Sequence, residues 1–249
     1  MRRKHYGKDR AVMKRLILSL IIVLFVHSAS NGQTLAVSSF PIHDRTQGLF
    51  LDWGSYTAEK LDTSVYAVTY DSSVMIDTLL RESFQSRHVL LIGRNVNKFL
   101  PKDKLTYDLS RTKGSTNLSV CDNQHHVFFY EAIYSDRRTG QTITTERLCQ
   151  DDFIVTEDTP TQQWSLKDEK MIIGEYECSL AECDFRGRHY YAWYTEDIPI
   201  SYGPWKLGGL PGLIVSAYDI DHQYEFTMSE FVTDNIPIFR INYDYIAQL

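Results

Sequence analysis

The sequence predicts a mainly β fold, a single domain in which an antiparallel meander forms a curled sheet or half-barrel with few short helices. Three observations predict it. Short runs alternate side chains with a period of two, which places successive residues on opposite faces of a strand. Turn-forming residues separate most of these runs. The chain also holds 16 Tyr and 12 Phe, residues that suit pleated, half-buried surfaces.

The first clear run is 64–70, where Val65, Ala67 and Thr69 alternate with Tyr66, Val68 and Tyr70. Further strands are expected at 74–80, 88–92, 127–133, 153–156, 171–178, 189–195, 213–218, 224–231 and 236–241. Between them stand Asp71-Ser72-Ser73, Arg138-Thr139-Gly140, Asp158-Thr159-Pro160, Arg186-Gly187-Arg188 and residues 219–222. No stretch carries a helical stripe over three turns, and 78–84 is the best short helix candidate. Residues 94–119 are polar and weakly patterned, and read as a long connection or a lid. Closely spaced strands with tight turns favour an antiparallel sheet, curled or paired.

Ahead of this domain stands an export signal. Residues 16–26 are apolar apart from Ser19, follow Lys14 and Arg15, and lead into Ser28-Ala29-Ser30-Asn31-Gly32. A basic flank, a short apolar core and small residues before a cut are the parts of a secretory signal. The apolar run is about half the ~20 residues that a spanning helix needs, so no integral span is expected after cleavage. Residues 1–30 therefore read as the signal peptide, with Met13 an alternative start, and residues 31–249 as the mature domain. The expected location is the periplasm, or the cell surface after secretion. Residues 1–30 hold seven basic side chains and one acid, which leaves 19 basic and 31 acidic in the mature part and a formal charge of −12. Such a surface repels phosphate backbones, so nucleic acid is not an expected partner.

All four cysteines, Cys121, Cys149, Cys178 and Cys183, lie in the mature part. An even number in an exported protein reads first as two disulfides. Three connectivities are possible. The favoured one joins Cys178 to Cys183 and Cys121 to Cys149, with four reduced buried thiols as the alternative. No Cys-x-x-Cys or His-x-x-x-His spacing accompanies them, so neither a metal nor a cofactor is expected.

The most informative stretch is residues 178–218. Between Pro199 and Gly212 lie three prolines and four glycines, out of seven and thirteen in the chain. Proline fixes φ and glycine admits positive φ, so this density specifies a loop of defined shape. Alternating strands enter it at Tyr191 and Trp193 and leave it at Leu213 and Val215. The string Gly209-Leu210-Pro211-Gly212-Leu213-Ile214, preceded by Phe185-Arg186-Gly187-Arg188, Ile198-Pro199 and Gly203-Pro204-Trp205-Lys206, resembles the GLPGLI family of exported Bacteroidetes proteins. The resemblance covers residues 164–218. It implies an exported or cell-envelope protein, often encoded beside outer-membrane uptake genes, and no established activity or catalytic residues. By looser analogy the curled sheet is similar to lipoprotein-carrier half-barrels.

Few residues carry recognisable chemistry. His125 and His126 are strand neighbours, which point to opposite faces and do not clamp one ion. His189 and His222 flank the loop in sequence, and Glu196-Asp197 precede it as adjacent acids. Arg186 and Arg188 could together hold a carboxylate or phosphate. No nucleophile elbow, phosphate loop or His-Glu-x-x-His is present. The candidate ligand- or partner-binding residues are therefore Trp193, Trp205, Lys206, Leu210, Arg186 and Arg188. Their aromatic and apolar members either plug the open end of the curled sheet or line a groove. The reading that follows is a non-enzymatic envelope protein that binds a hydrophobic small ligand, a peptide or an outer-membrane uptake protein. Its rivals are an envelope hydrolase of unrecognised type and an interaction protein pairing through sheet edges.

Overall fold

The computed structural model describes residues 35–37, 56–77, 79, 82–113, 131–148 and 151–243. Among the described residues thirteen strands and one helix follow in the order β1 (Leu35–Val37), β2 (Tyr56–Asp77), β3 (Glu82–Gly93), β4 (Val96–Pro101), α1 (Lys102–Thr112), β5 (Ala132–Asp136), β6 (Gln141–Leu148) and β7 (Asp151–Asp158). They continue with β8 (Ser165–Ile173), β9 (Tyr176–Phe185), β10 (Arg188–Thr195), β11 (Leu213–Asp219), β12 (Tyr224–Thr233) and β13 (Pro237–Tyr243). The fold is mainly β, as the sequence predicts.

All strand pairs are antiparallel, in the order β1-β7-β6-β5-β4-β3-β2-β12-β11-β10-β9-β8, and the sheet does not close into a barrel. Most neighbours are consecutive in sequence and so form a meander; β2 joins two such runs by pairing β3 on one side and β12 on the other. β13 pairs the amino-terminal part of β2 beside β12, from Thr63↔Pro237 to Tyr56↔Tyr243.

Each strand contributes alternate side chains to two faces. One face is covered by α1 and carries the core of Ala67, Val89, Leu91, Val96, Leu100, Leu105, Ala132, Tyr134 and Ile238. The other carries Val68, Tyr70, Leu90, Ile92, Phe99, Ile133 and Phe226, together with Ile198 from the proline- and glycine-rich loop. Farther along the sheet, Ala181, Cys183, Tyr190, Ala192 and Tyr194 form a third cluster with Leu207 and Leu210 of the loop. Trp205 packs against both of these last two clusters. Side chains at opposite ends of the sheet meet over this face: Glu157 of β7 bonds Arg186, in the β9–β10 turn. The sheet therefore curls toward the face that holds the loop, which is its concave side.

β8 is an edge. Its apolar residues Leu166, Met171 and Ile172 are exposed, yet its register slips between Leu166 and Lys170. The slip places Lys167, Asp168 and Glu169 in a bulge, and charged bulges deter edge-to-edge pairing.

Several sequence expectations are corrected. Residues 71–73 are not a turn: β2 runs unbroken through them, because Ser72 is buried and pairs with Ser86 of β3. Residues 171–178 are not one strand but the β8–β9 hairpin, turned at Gly174, whose φ is 63°. Of the stretch 78–84, residues 82–84 begin β3 rather than a helix. The helix instead falls within 94–119, the expected long connection or lid, together with β4, whose six residues are all buried. The alternation of β4 is hidden in sequence because both of its faces are covered, by α1 and by the concave core.

The expected Cys178–Cys183 disulfide is absent, and both are free, buried thiols. They lie on one extended strand an odd number of residues apart, so they face opposite sides of the sheet and are separated by about 16 Å of strand. Burial pushes the Cys178 thiol up to about 11 and that of Cys183 to about 12. Cys121 and Cys149 lie outside the described residues, as do His125, His126 and residues 1–34, where the export signal and its cleavage site are expected. No helix among the described residues is long and apolar enough to cross a membrane.

Candidate functional site

The loop between β10 and β11 is built as a plug. Leu213 N–H donates to Ile198 O at 3.0 Å and Ile214 N–H to Tyr202 O at 2.9 Å, tying its ends to its own entry. Tyr202 and Gly208 form an isolated antiparallel bridge. From the β7–β8 connection, Trp164 Nε1 donates to Gly208 O (2.8 Å), Gln162 Nε2 donates to Lys206 O (3.0 Å), and Gly208 N–H donates to Gln162 Oε1 (3.1 Å). The loop thus bonds both its own strands and the connection that links the two ends of the sheet.

Two glycines explain the string from Gly209 to Ile214 in physical terms. Gly209 has a φ of 85°, in the left-handed region that disfavours other residues. Gly212 has no room for a side chain, since a Cβ there would lie 1.9 Å from Thr195 O. Leu210, between them, is 2% exposed and enters the third cluster. Trp205 is a non-glycine residue at φ 56°, and its ring lies 5.7 Å from that of Phe185 and 6.4 Å from that of Tyr190.

Beside Trp205 lies a cluster of charge. Lys206 Nζ donates to Glu157 Oε1 at 2.7 Å, and Arg186 Nη2 bonds the other oxygen of the same carboxylate. Burial raises the pKa of Glu157, but these two cations more than offset it and hold the carboxyl below its ordinary value. Glu131, just ahead of β5, stands across from Glu146 of β6, since Ala132 pairs with Thr145. Burial pushes Glu131 up to about 7; Lys206, Arg186 and a hydrogen bond from the Trp205 side chain oppose this, and the charge of Glu146 adds to it. Glu146 is raised by burial, against the pull of Lys206. The alternation that places Ile133 in the concave core places Glu131 on the same face, with Thr144 and Glu146 beside them on β6.

Of the residues singled out in sequence, Trp205, Lys206, Leu210 and Arg186 converge here. Arg188 does not: its Nη1 donates to Asp219 Oδ2 (2.7 Å) and Gln223 Oε1 (2.9 Å), and its guanidinium lies 4.5 Å from the Tyr224 ring centroid. The two arginines therefore form no common fork, because the two-residue turn at Arg186 and Gly187, both at positive φ, sends each to its own carboxylate. Trp193 points to the face of β10 opposite Ala192 and Tyr194, away from the plug. His189 hydrogen-bonds Asp184 (2.8 Å), and His222 stacks on Tyr218 and meets Glu225 (2.5 Å). These histidines and the exposed acids Glu196 and Asp197 do not assemble. Among the described residues no group of three His, Cys, Asp or Glu is placed to hold a metal ion.

Sequence reasoning missed Glu131, Glu146 and Glu157. A glutamate in a β-run reads as solvent-facing, and only Glu157, one of four acids on β7, lay near a recognised turn. Their burial follows from the loop that arrives from the far end of the sheet.

Comparison with known proteins finds a family match over part of the chain and two distantly similar solved structures. Residues 186–216 match the family described as "Protein of unknown function (Porph_ging)". Those residues hold Arg186, Arg188, the whole loop and its glycines. No curated protein matches the chain. Two solved structures of PNGF-II, in different crystal forms, are similar at 16% identity, with TM-scores of 0.46 and 0.47. The similarity covers 71% of this chain and 29% and 28% of PNGF-II, so the chain spans less than a third of that protein's length.

Proposed function

We propose that this protein is an exported, non-enzymatic binding protein of the cell envelope, which holds a small ligand or peptide on the concave face of its sheet beside the loop. The observation that carries the reading is a set of buried polar atoms without hydrogen-bond partners: Ser86 Oγ, Asn97 Oδ1 and Thr144 Oγ1. The strand alternation puts all three on the concave face, with Leu90, Phe99 and Ile133. A buried polar atom left unpaired costs about 1–3 kcal/mol, which a bound ligand or ordered water would recover. The basic, apolar and small segments of residues 14–30 support export, and delivery to or from an outer-membrane uptake protein fits that location. The separation of His189, His222 and Glu196-Asp197 removes the support that a hydrolase drew from those residues.

Thermal melting tests the reading. A small-molecule fraction extracted from the native envelope should raise the melting temperature of the purified protein, because a ligand that binds only the folded state stabilises it. The rise should vanish in a variant with Thr144→Val and Glu131→Ala. An envelope fraction that leaves wild-type melting unmoved, at concentrations that saturate any micromolar site, would remove the proposal.

A further inference from the structure

Resting on that binding site, we propose that the facing pair Glu131 and Glu146 takes a protonated amine, the ammonium seated between the carboxylates and its apolar stem lying against the aromatic wall. One residue beyond the Ala132↔Thr145 pair, the register brings Glu131 and Glu146 face to face, and each feels the other's charge. Opposed side chains of this kind stand about 5 Å apart at Cβ, where like charges destabilise each other. Lys206 and Arg186 ease this only from a distance, since both bond Glu157. Among the described residues neither Glu131 nor Glu146 has a cation within ion-pair distance. The pair therefore accommodates one positive charge: a proton, or a cation brought from outside.

A second observation points to a ligand rather than a proton alone. Thr144 is 7% exposed, its Oγ1 has no hydrogen-bond partner, and it sits two residues from Glu146 on the same face. A proton shared between carboxylates leaves that hydroxyl unpaired, whereas an ammonium has three N–H donors, two for the carboxylates and one for the threonine oxygen. The surroundings suit an organic cation. Phe153 stands opposite Glu146 on β7, the Trp205 side chain hydrogen-bonds Glu131, and the Tyr224 phenol is close enough to feel the charge of Glu131. Aromatic faces favour an alkylammonium group through cation–π attraction. A divalent metal fits less well, since the described carboxylates do not converge on one point. The mature chain's acidity adds long-range attraction for cations.

Protons and amine then compete. The groups facing Glu131 are Lys206 from the loop, Glu146 from β6, Arg186 from the β9–β10 turn and Tyr224 from β12, with Glu157 held by the two cations. Glu131, pushed up to about 7 by burial, changes charge between mildly acidic and mildly alkaline conditions. Amine binding should accordingly strengthen as pH rises through neutrality.

Calorimetric titration of the whole protein with 1-aminohexane tests this, with 1-hexanol and calcium chloride as comparisons. At about pH 8.5 the amine should bind, and at about pH 5.5 its affinity should fall about tenfold or more, the loss expected for a charge-assisted contact. Glu131→Gln and Glu146→Gln should each lose about as much at the higher pH. Equal binding of 1-hexanol, affinity that does not change with pH, or displacement of the amine by calcium would overturn the proposal. The pH dependence and the alcohol comparison use wild-type protein, so they stand even where a variant fails to fold. Failure of the amine to bind while the envelope extract still raises the melting temperature would remove the cation and leave the binding protein. Failure of both would remove the site.

Discussion

The two faces of one sheet solve the same problem in different ways. On the face covered by α1, a charged pair is fully buried and fully bonded. Lys98 Nζ donates to Asp108 Oδ2 at 3.0 Å and to Phe239 O at 2.9 Å, and Lys104 reaches the other carboxylate oxygen at 3.4 Å. The side chains of Lys98 and Asp108 are 2% and 3% exposed. On the concave face, polar atoms of β3, β4 and β6 stay unpaired, and Glu131 and His88 are displaced toward their neutral forms. Burial lowers His88 to about 4, and its ring stacks on Phe99 while Nδ1 meets Ser72 Oγ. A helix brings its own side chains to complete a buried network. A loop rich in proline and glycine brings shape and few polar partners, so the face it closes is left chemically open.

If the comparison is right, breaking the α1 network should cost most. Asp108→Ala should destabilise by about 3–5 kcal/mol, because it strands the Lys98 ammonium in the core. Replacing both partners, as Lys98→Met with Asp108→Leu, should cost much less, and urea unfolding of the two variants measures the gap. Equal losses would mean that the pair contributes by packing alone.

Next comes the plug. Trp205→Ala should cost about 3 kcal/mol, since the residue packs into two clusters but is only half-buried. Because Trp205 sits at positive φ, Trp205→Gly should be no worse than alanine and better by up to about 1 kcal/mol, the reverse of the usual ranking. Chemical denaturation of both variants decides it, and a clearly weaker glycine variant would show that backbone strain is unimportant there.

The concave face should show the opposite sign. A carboxyl raised in the folded state binds more protons folded than unfolded, so its burden on stability grows as pH rises from about 4.5 to about 7 and is constant above. Glu131→Gln should therefore stabilise by about 2–3 kcal/mol at pH 8 and by almost nothing at pH 4.5. Melting curves across that range would show a flatter profile for the variant, and a loss of stability at pH 8 would contradict the assignment.

The smallest effect expected is at Gly209, which faces open space. Gly209→Ala should cost about 1 kcal/mol from φ alone, whereas Gly212→Ala, which drives a Cβ into Thr195 O, should cost about 3 kcal/mol. Thermal scans that rank the two the other way would mean that the loop re-forms around an added methyl at 212.

How much was legible follows from which forces are local. Period-two alternation located β3, β7, β10, β11, β12 and β13 because each shows one face to apolar surroundings and one to a different environment. It failed for β4, whose residues are buried on both sides, and it split β2 at Asp71-Ser72-Ser73, where turn chemistry loses to a cross-strand ladder. It also gave no sign of α1, whose helical residues are mostly polar because only Leu105, Leu109 and their neighbours meet the core.

The sequence by itself determined the β class and the shape-specifying character of residues 199–212, and it singled out Trp205, Lys206, Leu210 and Arg186 as candidates. These rest on backbone preferences and side-chain volumes that each residue carries wherever it stands. Only the tertiary structure decided that Glu131, Glu146 and Glu157 share a buried face, that Arg186 and Arg188 part company, and that Cys178 and Cys183 stay apart. Those outcomes depend on the curl that brings opposite ends of the sheet together and on the parity of a strand, and charges distant in sequence acquire a common environment only when the chain between them has folded.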